Sequence, residues 1–362
     1  MSLLKKVFTA LFGLLLIVSC VATIAATLGA FAFQLFLHLP AKPVLEKKQF
    51  FIPPKTGAYG VARLLESEGV IRNARAFYLL CWLRNSLGRM QAGEYAFSTL
   101  YSPEEVLEKI VNGRVVIHIV TLPEGSTIRD VARILDEKDL APQAEILEIA
   151  GSAEFARSLD VKGSSGLEGY LFPDTYQFKK PITSASIAAT MVRRFRQQLP
   201  GEWRARRKEL GLSLHEIVTM ASIVEKEAAV DSERPIIAGV FYNRLKINMP
   251  LQSDPTAVYD IPGFSGPVTA AHLTRQSPYN TYRIKGLPPG PICNPGAKSL
   301  RAAFYPEKVP YLYFVSNNDG THHFSITAEE HRNAVSHYYE LKKKAEEKGE
   351  DRQSETAPRE GP

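Results

Sequence analysis

The sequence has few cysteines and lacks the motifs of several common kinds of site. Its 362 residues include three cysteines, Cys20, Cys81 and Cys293, and no C-x-x-C pair. A zinc site built from cysteine pairs is therefore excluded. The chain also has no H-E-x-x-H motif and no G-x-S-x-G nucleophile elbow. We therefore expect no metal and no other cofactor, while a disulfide between Cys81 and Cys293 stays open.

Acidic and basic side chains are missing from one long segment. From Val7 to Ala41 there is no Asp, Glu, Lys or Arg, and about 20 apolar residues suffice to cross a bilayer. Lys5 and Lys6 precede the segment and favour a cytoplasmic N-terminus, although Lys42, Lys47 and Lys48 follow it. We predict a cytoplasmic segment at 1–6, a single transmembrane helix at 7–39 and the bulk of the chain outside the cytoplasm.

A cleaved lipoprotein signal is the alternative reading of this segment. The stretch "IVSC" (residues 17–20) resembles a lipobox, which would be cut before Cys20. The apolar run continues about 20 residues beyond that cysteine, much farther than the apolar core of a signal peptide. An uncleaved anchor is therefore the prediction, with lipid attachment at Cys20 as its rival.

The charge balance says little about partners. The formal net charge is +6 and the isoelectric point about 9.0. A mild basic excess suits an anionic polymer or membrane surface, but also an ordinary globular surface. The basic stretches "RRFR" (193–196) and "RARRKE" (204–209) are interpreted as solvated helix faces. No nucleic acid is expected as a partner outside the cytoplasm.

Two stretches after the apolar segment repeat each other. "VARLLESEGV" (61–70) and "VARILDEKDL" (131–140) both carry apolar residues at helical spacing. Another amphipathic helix is predicted after Ser102, which forms a capping box with Glu105, and strand-like stretches flank these helices. The pattern resembles the β-α-α-β fold of the LysM glycan-binding module. We predict that residues 48–160 form a LysM-like region that positions glycan.

The remainder of the chain is predicted to be a mainly helical catalytic domain at 161–345, which gives an α+β fold class. A β-hairpin is expected within Val309–Ile326, because Asp319-Gly320 suits a type I′ turn. The polar segment 346–362 is predicted to be a disordered tail. Helices are expected at Ser184–Leu199, Ser213–Val230 and Ser232–Ile247.

The helix predicted from Ser213 contains two glutamates two residues apart. Glu227 falls on one flank of its apolar stripe, and Glu225 falls on the opposite flank. An acid beside apolar side chains loses hydration, which raises its pKa toward the range that a general acid needs. The alternative is that both are boundary acids, one of them paired with Arg234 or Arg244. The helical wheel does not choose between the two glutamates.

Several motifs resemble one known family, the endolytic murein transglycosylases or YceG-like proteins. The resemblance covers residues 167–335 closely and the rest in layout, including the N-terminal anchor. Its motifs are "LEGYLFPDTY", "MASIVEKEAAVDSERPIIAGVFYNRL", "MPLQSDPTAVY", "SPYNTY", "GLPPGPICNPG" and "PYLYFV" followed by "HHFS".

The resemblance implies a bacterial inner-membrane enzyme whose bulk lies on the periplasmic or extracellular side. Such an enzyme cuts peptidoglycan glycan strands internally, between N-acetylmuramic acid and N-acetylglucosamine, and leaves 1,6-anhydro ends. The cut would terminate the elongation of nascent strands, with peptidoglycan synthases as partners. A membrane-anchored peptidoglycan-binding module without catalysis is the alternative function.

The resemblance also assigns the site residues. The second glutamate of E-K-E, here Glu227, would be the only catalytic acid and base. Five residues of the family-like loops are candidates for substrate binding: Glu168, Gln252, Asp254, Asn280 and Tyr282. Each has a structural alternative, because Asp254 before a proline can cap a turn, Asn280 can hold a loop and Tyr282 can belong to the core.

Overall fold

The computed structural model describes residues 2–42 and 44–340, with backbone alone at 2–4. Its contacts divide the chain into two compact units. The first unit is Met1–His118 with Gln177–Pro181, and the second is Ile119–Tyr176 with Ile182–Pro362. The fold mixes helices and short strands behind an N-terminal apolar helix, as predicted at that level.

The first unit contains four helices and two complete strands. They are α1 (Ser2–His38), β1 (Lys47–Ile52), α2 (Ala58–Ser67), α3 (Ala74–Leu83), β2 (Gly93–Ser98) and α4 (Pro103–Val111).

The chain passes between the units within two strands, β3 (His118–Thr121) and β4 (Thr175–Phe178), which pair with each other. The second unit adds α5 (Ile128–Glu137), α6 (Gln143–Ala150), α7 (Ala153–Ser158), α8 (Ser184–Gln198), α9 (Trp203–Leu210), α10 (Leu214–Glu227), α11 (Arg234–Lys246), α12 (Asp254–Val258), α13 (Ala270–Thr274), α14 (Ala297–Phe304), β5 (Tyr313–Ser316) and β6 (His322–Ser325). Residues 328–340 are also helical.

The helix α1 is long and apolar enough to cross a membrane. Within its stretch Lys5–His38, the most apolar window of 18 residues has a mean hydropathy of 2.5, and none of that window is buried. At 1.5 Å per residue, its 37 residues extend about 55 Å, while the hydrocarbon core of a bilayer is about 30 Å thick. The last turns can therefore lie outside the bilayer, and Leu37 is buried in the core of the first unit.

Strand pairing and capping hold the first unit together. β1 and β2 are antiparallel, with Lys47 opposite Ser98 and Ile52 opposite Gly93. Alternate residues of β2 are buried, so one face of the pair covers the core. The capping box predicted for α4 is confirmed, because the Ser102 side chain accepts from the backbone of Glu105 and the Glu105 carboxylate accepts from Ser102.

The helix α10 lies in the core of the second unit. It begins with the predicted capping box of Ser213 and Glu216, and every residue from Ile217 to Val224 is buried. α14, α11 and α12 all pack against it. A helix covered on so many sides has little exposed surface for charged side chains, and both of its late glutamates lie in its last turn.

Some predicted boundaries were wrong. α10 ends at Glu227, three residues before the predicted Val230, because Ala228 is already extended. α11 begins at Arg234 after a 3-10 turn, where Pro235 suits the first turn of a helix.

The hairpin of β5 and β6 differs from the predicted type I′ turn. It closes on a hydrogen bond from Asn317 N to Thr321 O, which leaves three residues in the loop. Asn318 and Gly320 have positive φ. The Asp319 carboxylate accepts from the backbone and hydroxyl of Thr321, which favours the longer loop.

All three cysteines are free, and both Cys81 and Cys293 are buried. The disulfide left open by the sequence is therefore not formed in this structure. The predicted tail at 346–362 lies outside the described residues.

Candidate functional site

Glu227 is the last residue of α10, where the buried helix reaches the surface. Its side chain is partly buried. The Ser253 hydroxyl donates to Glu227 Oε1 over 2.5 Å. Among the residues that the structure describes, no protein group donates to Glu227 Oε2. One oxygen of the carboxyl group is therefore oriented by the protein, and the other is available for a proton transfer.

The surroundings of Glu227 set its pKa close to neutral. Burial raises the pKa from 4.5 to about 7, and the hydrogen bond from Ser253 acts in the opposite direction. The charge of Asp254 raises this pKa further, whereas the charge of Arg244 lowers it. A carboxyl group with this pKa carries its proton about half of the time at neutral pH, as a group that must both give and take a proton requires.

Ser253 precedes α12 at the position where a serine usually caps a helix. Its hydroxyl group accepts no capping hydrogen bond and instead donates a hydrogen bond to Glu227. The residue is almost completely buried, and its backbone amide donates to Thr281 Oγ1 over 2.9 Å. Thr281 Oγ1 lies in turn 2.7 Å from Thr256 Oγ1. These buried hydroxyl groups fix the serine that orients Glu227.

Three of the predicted substrate-binding residues lie close to Ser253. Gln252 and Asp254 flank it in the sequence, and Tyr282 contacts Asp254. Gln252 is exposed and has a φ of 51°, and its backbone N–H donates to the carbonyl oxygen of Thr281. Asp254 is exposed and accepts a 2.6 Å hydrogen bond from the Tyr282 hydroxyl. The structure therefore brings Asp254 and Tyr282 together beside Glu227, and their binding to substrate stays a prediction.

Asn280 lies in the core rather than at the surface. It is completely buried, and its amide nitrogen donates to the carbonyl oxygens of His272, Leu273 and Arg275. Its side-chain oxygen accepts from Tyr282 N over 3.1 Å. The described contacts of Asn280 therefore hold the loop that carries Tyr282, which corresponds to its structural alternative.

Glu168 is surrounded by hydrogen-bond donors. The backbone N–H of Ile128, at the first turn of α5, lies 3.1 Å and 3.2 Å from its two oxygens. The Tyr259 hydroxyl donates over 2.9 Å and the Asn294 amide over 3.3 Å. Burial nevertheless raises the pKa of Glu168 to about 7. These contacts join distant segments of the second unit.

The glycine after Glu168 explains how the chain turns there. Gly169 has a φ of 88°, and a Cβ at this position would lie 2.5 Å from Pro291 and 2.9 Å from Val218. A side chain is therefore excluded both by the backbone conformation and by the neighbouring atoms.

Glu225 makes a buried ion pair. Its Oε1 accepts from Arg234 Nη1 over 3.2 Å, and its Oε2 accepts from the backbone of Gly296 over 2.9 Å. The side chains are 6% and 8% exposed. The pairing of one glutamate with Arg234, proposed from the sequence as an alternative, is therefore confirmed for Glu225.

Sequence reasoning missed two residues beside Glu227. Ser253 stood within the quoted motif, between two predicted residues, but a serine before Asp-Pro predicts a cap. Arg244 was considered only as an ion-pair partner. It is buried and donates to the carbonyl oxygens of Leu312 and Leu251, each over 2.6 Å. No local pattern reveals such distant backbone acceptors.

Comparisons with known proteins agree on one family. The sequence profile of the YceG-like family matches residues 50–337. A Bacillus subtilis protein named endolytic murein transglycosylase is 32% identical over an alignment of 306 residues, and the match covers 80% of this chain and 84% of that protein. A Streptococcus pneumoniae protein of the same name is 29% identical over 318 residues, and the match spans 57% of its length.

A solved structure leads to the same result. The crystal structure of a YceG-like protein from Listeria monocytogenes is 35% identical and superposes with a TM-score of 0.56. The match covers 80% of this chain and all of that one. With a family profile that spans most of its length, the chain belongs to the YceG-like family.

Proposed function

We propose that this chain is an endolytic murein transglycosylase. It cuts peptidoglycan glycan strands internally, between N-acetylmuramic acid and N-acetylglucosamine, without adding water. The names of its relatives support the general activity. The state of Glu227, oriented by Ser253 and with a pKa near 7, is the observation that carries the proposal.

One carboxyl group suffices for this reaction. Protonated Glu227 gives its proton to the glycosidic oxygen, and the bond to C1 breaks with oxocarbenium-like charge on the sugar. The Glu227 carboxylate then takes the proton from the C6 hydroxyl of the same sugar, which attacks C1 and closes a 1,6-anhydro ring. The N-acetyl oxygen of the substrate can assist at C1. A glycosidase that adds water needs a second carboxyl group.

The charge of Asp254 raises the pKa of Glu227, so Asp254 lies close enough to take part in the site. Held by Tyr282, it can stabilise positive charge on the sugar, because oriented charges act where charge develops in the transition state. Gln252 is exposed beside it and suits hydrogen bonds to the sugar. Glu168 and Asn280 would act behind this surface, on the segments that they join.

Product analysis tests the reaction. The full-length protein, purified in detergent, should release fragments that end in 1,6-anhydro-N-acetylmuramic acid. These ends are about 18 mass units lighter than reducing ends, because no water is added. Reducing ends would identify a hydrolase instead, with Asp254 and Glu168 as the candidates for its second carboxylate. If no fragment is released while the protein binds peptidoglycan, the non-catalytic binding module is the correct function.

The apolar helix supports a membrane anchor. We propose that α1 spans the bacterial inner membrane once, with the bulk of the chain on the periplasmic or extracellular side. An enzyme held there meets strands as they are made, so its cut would end their elongation beside peptidoglycan synthases. Intact protein in the membrane fraction, accessible to protease only from outside, is expected. Cleavage before Cys20 with lipid on that cysteine would contradict it.

We propose that the LysM-like region, residues 48–160, positions glycan. The order β1, α2, α3, β2 agrees with the β-α-α-β pattern. Residues 119–160 belong to the same compact unit as Glu227, and Ile128 holds Glu168. A deletion limited to residues 48–116 is therefore the sharper test. This deletion should weaken binding to insoluble cell wall and retain cleavage of short soluble strands. If a folded deletion variant no longer cleaved short strands, the proposal that this region only positions glycan would be refuted.

A further inference from the structure

A cavity of about 840 Å³ lies at the opposite end of α10 from Glu227. It is lined by the loop after α7, the end of α8, the start of α9 and the start of α10. α10 has 14 residues, so about 20 Å along the helix separate the cavity from Glu227. The volume falls within the range of sites that hold whole small molecules.

The charged side chains around this cavity are mostly basic. Lys162, Arg196, Arg204 and Arg207 line it together with a single acid, Asp160. Asp160 lies 3.3 Å from Lys162, and both side chains are largely exposed. Among the described residues, none of the three arginines has a carboxylate partner within 4 Å. The cavity therefore has an excess of positive charge that the protein itself leaves unpaired.

The arginines are partly held in place. Arg207 Nε is buried and has no hydrogen-bond partner among the described residues. The Arg204 guanidinium lies 4.5 Å from the centre of the Trp203 ring, a cation–π distance. Arg196 donates to the carbonyl oxygen of Leu159 through one of its nitrogens. A buried N–H without an acceptor is costly, so an occupant with acceptor oxygens would be favoured at Arg207.

Aromatic side chains also line the cavity. Tyr170 packs against Phe195 with 5.0 Å between the ring centres. The Tyr170 hydroxyl lies 3.0 Å from His215 Nδ1, and His215 Nε2 lies 3.0 Å from the carbonyl oxygen of Pro289. A carbonyl oxygen only accepts, so Nε2 donates to it. These contacts on both ring nitrogens hold His215 in place, and the basic side chains that line the cavity supply its positive charge.

We propose that this cavity binds the carboxylates of a peptide stem carried by the glycan substrate. The inference rests on the proposed function, since it takes the wall polymer as substrate. Guanidinium groups match carboxylates with paired hydrogen bonds, and the aromatic lining suits the apolar side chains of a short peptide better than a bare phosphate. A peptide stem bound in this cavity would position the glycan strand from a point remote from Glu227 and from the bond that Glu227 breaks.

Direct binding tests the site independently of catalysis. Glu227→Gln protein, full-length and in detergent, is titrated by calorimetry with the free tetrapeptide stem. Arg207→Gln in this background should weaken binding about tenfold, the usual effect of a lost hydrogen bond to a charged group. Arg193→Gln is the matched control, because Arg193 is exposed on α8 and does not line the cavity. Equal weakening in both variants would overturn the proposal.

Arg204→Gln provides a second variant, because Arg204 is exposed and its replacement should not disturb folding. It should also weaken stem binding, and unchanged binding in both cavity variants would overturn the proposal. Binding of inorganic diphosphate without binding of the stem would overturn the assignment to carboxylates.

Cleavage kinetics separate this proposal from the proposed function. Strands that carry stems and strands stripped by an amidase are compared as substrates. Arg207→Gln should lower kcat/KM about tenfold on strands with stems and leave stripped strands unaffected. Equal losses on both substrates would overturn the stem site and leave the transglycosylase activity standing. Absence of cleavage by the parent protein, with stem binding intact, would instead refute the proposed function alone.

Discussion

The surroundings of Glu225 and Glu227 differ although the two residues are neighbours in one helical turn. Glu225 receives a guanidinium group and a backbone N–H, and its side chain is only 6% exposed. Glu227 receives one hydroxyl group and remains partly accessible. Two residues correspond to about 200° around a helix, so the carboxyl groups point to different neighbours. The carboxylate of Glu225 is thus held in an ion pair with Arg234, whereas the pKa of Glu227 is raised to about 7.

The largest expected effect is on catalysis. Glu227→Gln preserves the shape of the side chain but removes the group that gives and takes the proton, so cleavage should fall by at least ~10²–10⁴-fold. Release of soluble fragments from peptidoglycan measures it, with circular dichroism to show that the variant is folded. Full activity of this variant, together with an inactive Glu225→Gln, would reverse the assignment.

The next effect concerns stability at Glu225. Glu225→Gln leaves the buried Arg234 guanidinium with the exposed Asp231 as its remaining carboxylate partner among the described residues, and breaking a buried pair costs about 3–5 kcal/mol. Chemical denaturation measures this loss of unfolding free energy, and the folded fraction should retain cleavage activity. Asp231→Asn is the control, because this partner of the same arginine is exposed and its loss should cost much less stability than the loss of Glu225. An inactive Glu225→Gln of normal stability would place Glu225 in the chemistry.

A smaller effect follows from the raised pKa of Glu227. The folded-state pKa of about 7 exceeds the ordinary 4.5, so the folded state holds this proton more tightly. The resulting stabilisation is complete below pH 4.5 and is lost as the pH rises through 7. Glutamine cannot ionise, so Glu227→Gln should gain roughly 1–3 kcal/mol over the parent between pH 4.5 and pH 8. Denaturation at both pH values checks this, and an identical difference at both would exclude a raised pKa.

The smallest effect is a shift of the pH profile. The first step needs protonated Glu227, so kcat/KM should fall as the pH rises above about 7. The Ser253 hydrogen bond lowers this pKa, so Ser253→Ala should move the fall to higher pH by less than about one unit. Rates measured from pH 5 to pH 9 test the shift, and Ser253→Thr, which keeps a hydroxyl group, should reduce it. A shift to lower pH would contradict the described hydrogen bond.

The elements with local signals were predictable. Ser213 with Glu216 and Ser102 with Glu105 announced the starts of α10 and α4, because a capping box needs only four consecutive residues. The choice between Glu225 and Glu227 came from the resemblance to a family, since the helical wheel placed both at the edge of the core. Their different states depend on Arg234 and Ser253, which the wheel does not contain.

The remaining features depend on contacts between distant segments. Glu168 meets a backbone N–H 40 residues earlier and a tyrosine 91 residues later. Ser253 follows a capping pattern, yet its hydroxyl is used 26 residues away. The three-residue loop of the β5–β6 hairpin arose because the Asp319 side chain bound Thr321, although the dipeptide alone predicted a tighter turn.

The burial of Leu37 bears on how a soluble form of this protein can be made. Leu37 belongs to the core of the first unit, and Phe33 and Phe36 pack against that core. Removal of residues 1–38 would therefore remove core side chains as well as the apolar helix. The loss of one buried leucine alone costs about 2–5 kcal/mol of stability. A soluble form should begin before Phe33, so that the last turn of α1 still closes the core of the first unit.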